Sequence, residues 1–455
     1  MRSPDAATVA HAPFRPLLAK ELWGVITGQA LWTMLLMLCP FIGYSFFQAV
    51  ALYGEASTAA RDAPALASGL SPLDGVLVPT FGAFYLAVTL LFPFVAIRAL
   101  GREKETGSLR LLVQSPYGVP TLIGAKMVAV ATAWLISFVP AISALVLWGA
   151  LGGHLYVLET GNLLLGHLLY GLLVAAIALA AASIADSSAT AAIITLAATI
   201  GSWVLDFALA GQPGILELIA RLSLTQTLRT FEQGLLPVGL VLGIGAATGG
   251  FAALAGIWLH PGVPLRSKLI RSASCIVVVA LAFAAVTTIR TSLDLTEDQR
   301  NSFPAADQRA LPSLRDRLVI AVHLAPEDPR YTDLRRDVLA KLERTMPHVS
   351  IRLASAGQSM IGSTSEESYG EVEYAYGGRS ARSRSTDRRE ILPLIYELAG
   401  IPVPAPVVGA DYPGYPLVAD ARAALPWFLG ALPILIVLAW RWTSRAPRIP
   451  QSLFK

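Results

Sequence analysis

The sequence predicts a polytopic α-helical membrane protein of about eight transmembrane helices, six followed by two more, with an extracytoplasmic α/β domain inserted between the last pair. Three observations predict it. Of 455 residues, 54% are hydrophobic and 15% charged, against roughly 25% charged in ordinary soluble domains. The charges are segregated, leaving eight apolar intervals of about 18 residues or more, the length a helix needs to cross a hydrocarbon core. One later stretch, 291–424, holds 16 Lys+Arg and 19 Asp+Glu and therefore needs water.

The apolar intervals are Leu22–Gly54, Gly75–Ile97, Met127–Leu158, Thr160–Ala185, Ser187–Leu205, Gln233–Leu265, Ser272–Ile289 and Ala423–Trp440. Outside 291–424 there are 19 Lys+Arg and 12 Asp+Glu. With a cytoplasmic N-terminus and alternating helices, 15 of those 19 cations fall on the cytoplasmic side; only Arg61, Arg221, Arg229 and Arg290 fall outside. Short basic loops resist translocation, so this bias sets the orientation and places both ends in the cytoplasm. The net charge of +4 then reflects topology and not nucleic-acid binding. No cleavable leader is expected, because residues 1–21 contain Pro, Asp and Lys without an apolar core. Cys39 and Cys275 lie inside spans, too few for a disulfide framework or a zinc site, and read as packing residues.

Taking the elements in order, residues 1–21 place Phe14, Leu17, Leu18 and Leu22 at helical spacing with Lys20 and Glu21 on another face. That pattern suggests an amphipathic helix on the cytoplasmic surface, with a plain linker as the alternative. Between the second and third spans the chain reads Arg98, Arg102, Glu103, Lys104, Glu105, Gly107, Ser108, Leu109, Arg110, Leu111, Leu112, then a turn at Ser115-Pro116, then Lys126 at the start of an apolar span. Such a segment cannot lie in lipid and must face something soluble. It resembles the cytoplasmic coupling segment of ABC-2-type transporter permeases, "E-R-E-x-G-T-L-x-x-L-L" followed by a turn and a Gly/Ala-Lys helix opening, with Ser108 for the Thr. Many such permeases also begin with an amphipathic helix. The resemblance implies that Arg102, Glu103, Lys104, Glu105, Gly107, Leu109, Arg110 and Leu112 meet an ATPase subunit.

Ser183 to Ala189, the turn between spans four and five, resembles that family's "S-x-x-x-x-x-x-A" with one residue fewer between Ser and Ala, and Asp186 or Ser187 is suited to cap helix five. The segment from Gly211 through Glu217 to Leu222, Ser223, Phe231 and Gly234 resembles the family's external "L-S-P-x-x-H-F-x-x-F-x-x-G". The His of that pattern is replaced near Thr225–Thr227.

Within 291–424, Leu318–Leu324 reads as a buried strand, Tyr331–Thr345 as a helix with Leu334, Val338, Leu339 and Leu342 inward, and Val349–Leu353 and Glu371–Tyr376 as strands. Asp387–Ala399 reads as a helix ended by Gly400. This order predicts a small α/β unit around a mostly parallel sheet. The run Arg379, Arg382, Arg384, Arg388, Arg389 reads as a solvated basic loop, and is the domain's candidate contact for an anionic partner. The prolines of Ile401–Pro416 mark a stiff linker back to the membrane. Ser292-Leu293-Asp294-Leu295-Thr296, with Leu311, Leu314 and the Leu318–Leu324 strand, resembles the start of the auxiliary component of gliding-motility-type ABC systems, with Arg317 where a proline is usual. The chain is therefore similar to a permease fused to a shortened auxiliary domain. The expected division is an N-terminal cytoplasmic helix (1–21), a six-helix permease domain (22–265), helix seven (272–290), the extracytoplasmic domain (291–424), helix eight (425–442) and a cytoplasmic tail (443–455).

No G-x-x-x-x-G-K-[ST] cradle for phosphate occurs, so ATP and Mg are expected on a partner and the chain is not expected to be an enzyme. The six histidines are scattered without H-E-x-x-H, and Ser359 and Ser363 form no G-x-S-x-G elbow. The expected function is the membrane subunit of an ABC exporter-like complex in a bacterial cytoplasmic membrane. Its implied partners are two ATPase chains, a second permease copy or paralogue, the lipid bilayer and an extracytoplasmic auxiliary protein, with no nucleic acid. The rival reading is a non-transporting scaffold that carries ATPase motion to external gliding or cell-envelope machinery.

Overall fold

The computed structural model describes residues 14–208, 223–289, 291–325, 328–353, 369–405 and 412–445. Among the described residues, eight helices long and apolar enough to cross a bilayer follow the eight apolar intervals. Backbone polar groups in hydrocarbon must be satisfied within their own segment, which a helix achieves. The chain opens with α1 (Phe14–Ile26), then α2 (Gln29–Asp62) and α3 (Leu73–Glu105). After the short α4 (Ser108–Gln114) come α5 (Val119–Ala150), α6 (Val157–Ile184) and α7 (Ser188–Ala208). A short helix, α8 (Leu224–Glu232), precedes α9 (Val238–Leu259) and α10 (Leu265–Thr287).

The α6 helix is the centre of the bundle, packed against α3, α5, α7, α8 and α9. Its alanine-rich second half allows that closeness, because small side chains let helix backbones approach. At Gly171 a Cβ would lie 1.9 Å from the Trp134 ring, so only glycine fits there. The α5 helix breaks at Phe138, where Pro140 in the next turn lacks the N–H that would continue it. The α10 helix lies outermost against α9, with the rest of its span uncovered.

A second core belongs to the α/β unit. It contains α11 (Ala305–Ala310), a helix over 329–345 (α12) interrupted by a π-turn at Arg335–Leu339, and α13 (Arg388–Ala399). The strands are β3 (Leu318–Val322), β4 (Val349–Leu353), β5 (Val372–Tyr376) and β6 (Arg379–Ser383), in the order β4-β3-β5-β6. Leu334, Val338, Leu339 and Leu342 of α12 are buried against the sheet, as their spacing predicts. The sheet corrects the expectation of mostly parallel pairing. Only β3 and β4 run parallel; β5 and β6 are antiparallel additions. The α12 crossover enforces the parallel pair, whereas Gly377 and Gly378, both at positive φ, form a two-residue hairpin that turns the chain straight back.

The same hairpin corrects the basic loop. Arg379 and Arg382 stand on the edge strand β6, Arg384 follows it, and Arg388 and Arg389 open α13 behind the Asp387 cap. A final helix, α14 (Ala421–Arg445), returns through the membrane.

Two further small strands, β1 (Leu235–Pro237) and β2 (Ser292–Asp294), pair antiparallel and join the start of the α/β unit to the foot of α9. Residues 1–13 of the expected N-terminal helix, the Gly211–Leu222 stretch, Ser359 and Ser363, and the tail beyond Arg445 lie outside the described residues.

Candidate functional site

The segment that resembles a coupling region is built from the end of α3 and from α4. The α3 helix ends at Glu105, and Gly107, at φ 72°, turns the chain into α4. Glycine takes that left-handed conformation without the penalty a Cβ would bring. The consecutive charges Glu103, Lys104 and Glu105 then project toward different helices.

Glu103 reaches inward. Lys126, about two turns into α5 and fully buried, donates to Glu103 Oε2 at 2.6 Å, to Glu21 Oε2 at 2.9 Å and to the Ala99 carbonyl at 2.6 Å. An ammonium has three N–H donors, so its capacity is filled. Lys20 of α1 bonds Glu21 at 3.0 Å and makes a short contact with Glu103. Burial works against the Lys20 charge, but Glu103 and Glu21 outweigh it and hold its pKa above the ordinary lysine value.

This arrangement corrects the reading of α1. Glu21 lies on the buried face with Leu17 one turn before it and Val25 one turn after, while Phe14 is exposed. A carboxylate occupies that face because a buried ammonium waits opposite it. Around the ions, Leu17, Leu122 and Ala125 form an apolar cluster with Leu109, Val113 and Tyr117, which seats α4 against α1 and α5.

Lys104 instead donates to the carbonyls of Ser183 and Ala185, both at 2.8 Å, at the C-terminus of α6. Cations are favoured there by the helix dipole and the unpaired carbonyls. Glu105 accepts from the Ser188 hydroxyl at 2.6 Å, in the first turn of α7. Ser187, and not Asp186, caps that helix by accepting from the Thr190 N–H at 3.1 Å. The α3 end therefore holds α1, α5, α6 and α7 through three successive side chains.

Arg102 and Arg110 face outward, Leu112 is half-buried, and Leu111, outside the set of residues expected to couple, is 71% exposed. Leu111 thus stands free on the short surface helix α4. Sequence spacing hides it within the Leu111-Leu112 pair. The arginine set of the α/β unit does not converge: Arg382 and Arg384 pair with Glu371, while Arg388 and Arg389 are held at a helix start. Among the described residues no group of three or more His, Cys, Asp or Glu could hold a metal ion.

The opposite end of the bundle carries the α/β unit, held by both chain segments that lead to it. Asp294 accepts from the Thr296 N–H and hydroxyl and from the Asn301 N–H, closing the turn that resembles the auxiliary-component opening. Glu297 accepts from the Tyr415 hydroxyl and sits 2.8 Å from His154, whose ring stacks on Tyr415 at 3.6 Å. The bond to Glu297 pushes the Tyr415 hydroxyl up to about 12. Arg300 bonds Ser71 and pairs with Asp74, and Tyr53 donates to the Tyr415 carbonyl at 2.7 Å. Leu417 N–H donates to Ser57 at 2.9 Å. Apart from the local Asp294 turn, each of these partnerships joins residues more than a hundred positions apart, so none of those is visible in the sequence.

Among the described residues, eight helices long and apolar enough to cross a bilayer, with a charged elbow at one end of the bundle, define a polytopic membrane protein. The chain belongs to the ABC-2 family of transporter proteins, whose family model matches residues 16–256, just over half of its length. No curated protein and no solved structure matches it. Membership makes it a membrane permease component of an ABC transporter, a transport part that is not itself catalytic and that works with an ABC ATPase in a bilayer.

Proposed function

We propose that the chain couples ATP hydrolysis on a separate ATPase dimer to helix movement, receiving the push at α4 and the α3 end. The observation that carries this reading is the triple grip of Glu103, Lys104 and Glu105 on α5, α6 and α7. A displacement of α4 is passed at once to three spanning helices, because packed and hydrogen-bonded elements transmit strain. The 15-to-4 bias of basic residues supports placing this end in the cytoplasm of a bacterial inner membrane, with both termini inside. A second permease, identical or paralogous, completes the pair that an ATPase dimer engages.

A second reading has its own observation. The α/β unit is clamped to α2, α3 and the α5–α6 turn through Arg300, Glu297, Tyr415 and Leu417. Such a clamp supports a role in carrying helix motion to an external partner, with or without cargo, and agrees with the likeness to gliding-motility auxiliary domains.

The test is co-purification with the cognate ATPase in nanodiscs. Wild-type chain should capture the ATPase and stimulate hydrolysis, and Arg110→Glu with Leu111→Asp should abolish both at equal membrane abundance. Undiminished capture and stimulation by that variant would refute coupling at α4. Cutting the clamp with Glu297→Gln and Tyr415→Phe separates the readings: external-partner output should fall while cargo-stimulated hydrolysis stays.

A further inference from the structure

A cavity of about 180 Å³ lies between α3, the end of α7 and the short α8, at the end of the bundle that carries the α/β unit. Tyr85, Trp203, Thr225, Arg229 and Glu232 contribute its polar and aromatic lining. Neither the coupling end nor the clamp uses any of them. Trp203 is 53% exposed and is followed by exposed Val204 and Leu205, so the cavity adjoins the lipid-facing side of α7 at its terminus. Indole rings favour that depth, where a membrane's headgroups begin.

Behind Glu232, His167 is wholly buried, and its Nδ1 is 3.0 Å from the Leu163 carbonyl. A carbonyl only accepts, so Nδ1 carries the proton and Nε2 is a bare acceptor. Nε2 has no hydrogen-bond partner and faces Glu232 Oε1 at 3.8 Å. His167 thus backs Glu232 without a hydrogen bond to it, and of the two only Glu232 lines the cavity. Burial pushes the Glu232 carboxyl up to about 7, with Arg229 pulling the other way, so positive charge beside it is still favoured.

Arg229 lies three residues before Glu232 on α8, which sets their Cβ atoms roughly 5–6 Å apart on one side of the cavity. Opposite charges at that spacing, an indole and a phenol ring suited to a cation, and an opening beside lipid together describe one ligand chemistry. We propose that this cavity binds the zwitterionic headgroup of a phospholipid, with its ammonium against Glu232, Trp203 and Tyr85, its phosphate against Arg229, and its acyl chains along the exposed side of α7.

This site stands independently of ATPase coupling, and its test uses no ATPase. The full chain in detergent is titrated with phosphatidylethanolamine, phosphatidylglycerol of the same acyl chains, or free phosphoethanolamine, and bound lipid is counted by native mass spectrometry. Phosphatidylethanolamine should bind at least tenfold more tightly than phosphatidylglycerol. Glu232→Gln should erase that preference while leaving phosphatidylglycerol bound, and Arg229→Gln should weaken both lipids. Equal affinity of the wild-type chain for the two lipids would overturn the proposal, and this arm needs no variant to fold. So would a preference that survives Glu232→Gln. Free phosphoethanolamine bound as tightly as the lipid would overturn the assignment to a membrane ligand.

Discussion

Lys126 and Glu103 meet at 2.6 Å at the α1–α4 end of the bundle, with Lys126 wholly excluded from solvent. The pair joins the segment expected to receive ATPase motion to the third spanning helix, about two turns from its start. Glu21 and Lys20 extend it to α1, so three elements far apart in sequence share one set of charges.

Removing one member of a buried ion set leaves the other uncompensated, which costs about 3–5 kcal/mol. Lys126→Ala and Glu103→Lys should both lower thermal stability by that amount, measured by melting the purified chain in detergent. Glu103→Lys should be the worse of the two, since it sets three ammonium groups together. A loss below about 1 kcal/mol in either would show that the set contributes little. Glu103 is therefore unsuited to testing ATPase docking by itself.

Leu111 and Arg110 face outward, and their replacement should separate docking from folding. Leu111→Asp should leave the melting temperature unchanged, because an exposed surface position carries within about 0.5 kcal/mol. ATPase capture should fall at least tenfold. A destabilised chain, or one that captures the ATPase as before, would move the docking surface elsewhere.

Glu232 predicts a pH dependence. Its carboxyl rises from 4.5 in the unfolded chain to about 7 in the fold through burial. A raised carboxyl pKa means stability present below the unfolded value and lost as pH climbs through the folded one, here between about 4.5 and 7. The loss is about 3 kcal/mol, since one pH unit is worth about 1.4 kcal/mol. In detergent free of zwitterionic lipid, Glu232→Gln should match wild type near pH 4 and melt higher at pH 8. An equal difference at both pH values would contradict it.

Orientation is checked with single cysteines. Arg382→Cys on β6 should react with an impermeant maleimide in intact cells, and Gln114→Cys at the end of α4 only after permeabilisation. Native Cys39 is buried and Cys275 lies within α10, so neither should label. Labelling of Gln114→Cys in intact cells would invert the topology.

The eight spans are legible in the sequence because bilayer thickness imposes a length, and charge cannot be hidden along it. The inward face of α12 is legible for a similar reason: Leu334, Val338, Leu339 and Leu342 repeat with the helix period. Asp387 and Gly400 mark both ends of α13 by local chemistry alone. The arginine run shows where local reading fails. Its charge density suggests a loop, while the Gly377-Gly378 hairpin and the alternation of β6 make it an edge strand. Edge strands tolerate, and often carry, such charge.

Periodicity, charge segregation and capping act over a few residues, so the sequence by itself determined the number of spans, the presence of a water-seeking α/β unit and most of its elements. Tertiary structure alone decided that Glu21 turns inward, that Lys104 closes the end of α6, that Glu297 holds His154 and Tyr415, and that His167 faces Glu232. Each of those contacts joins residues that only the tertiary fold brings together. Burial then turns a charge that looks like surface decoration into one that must find its partner.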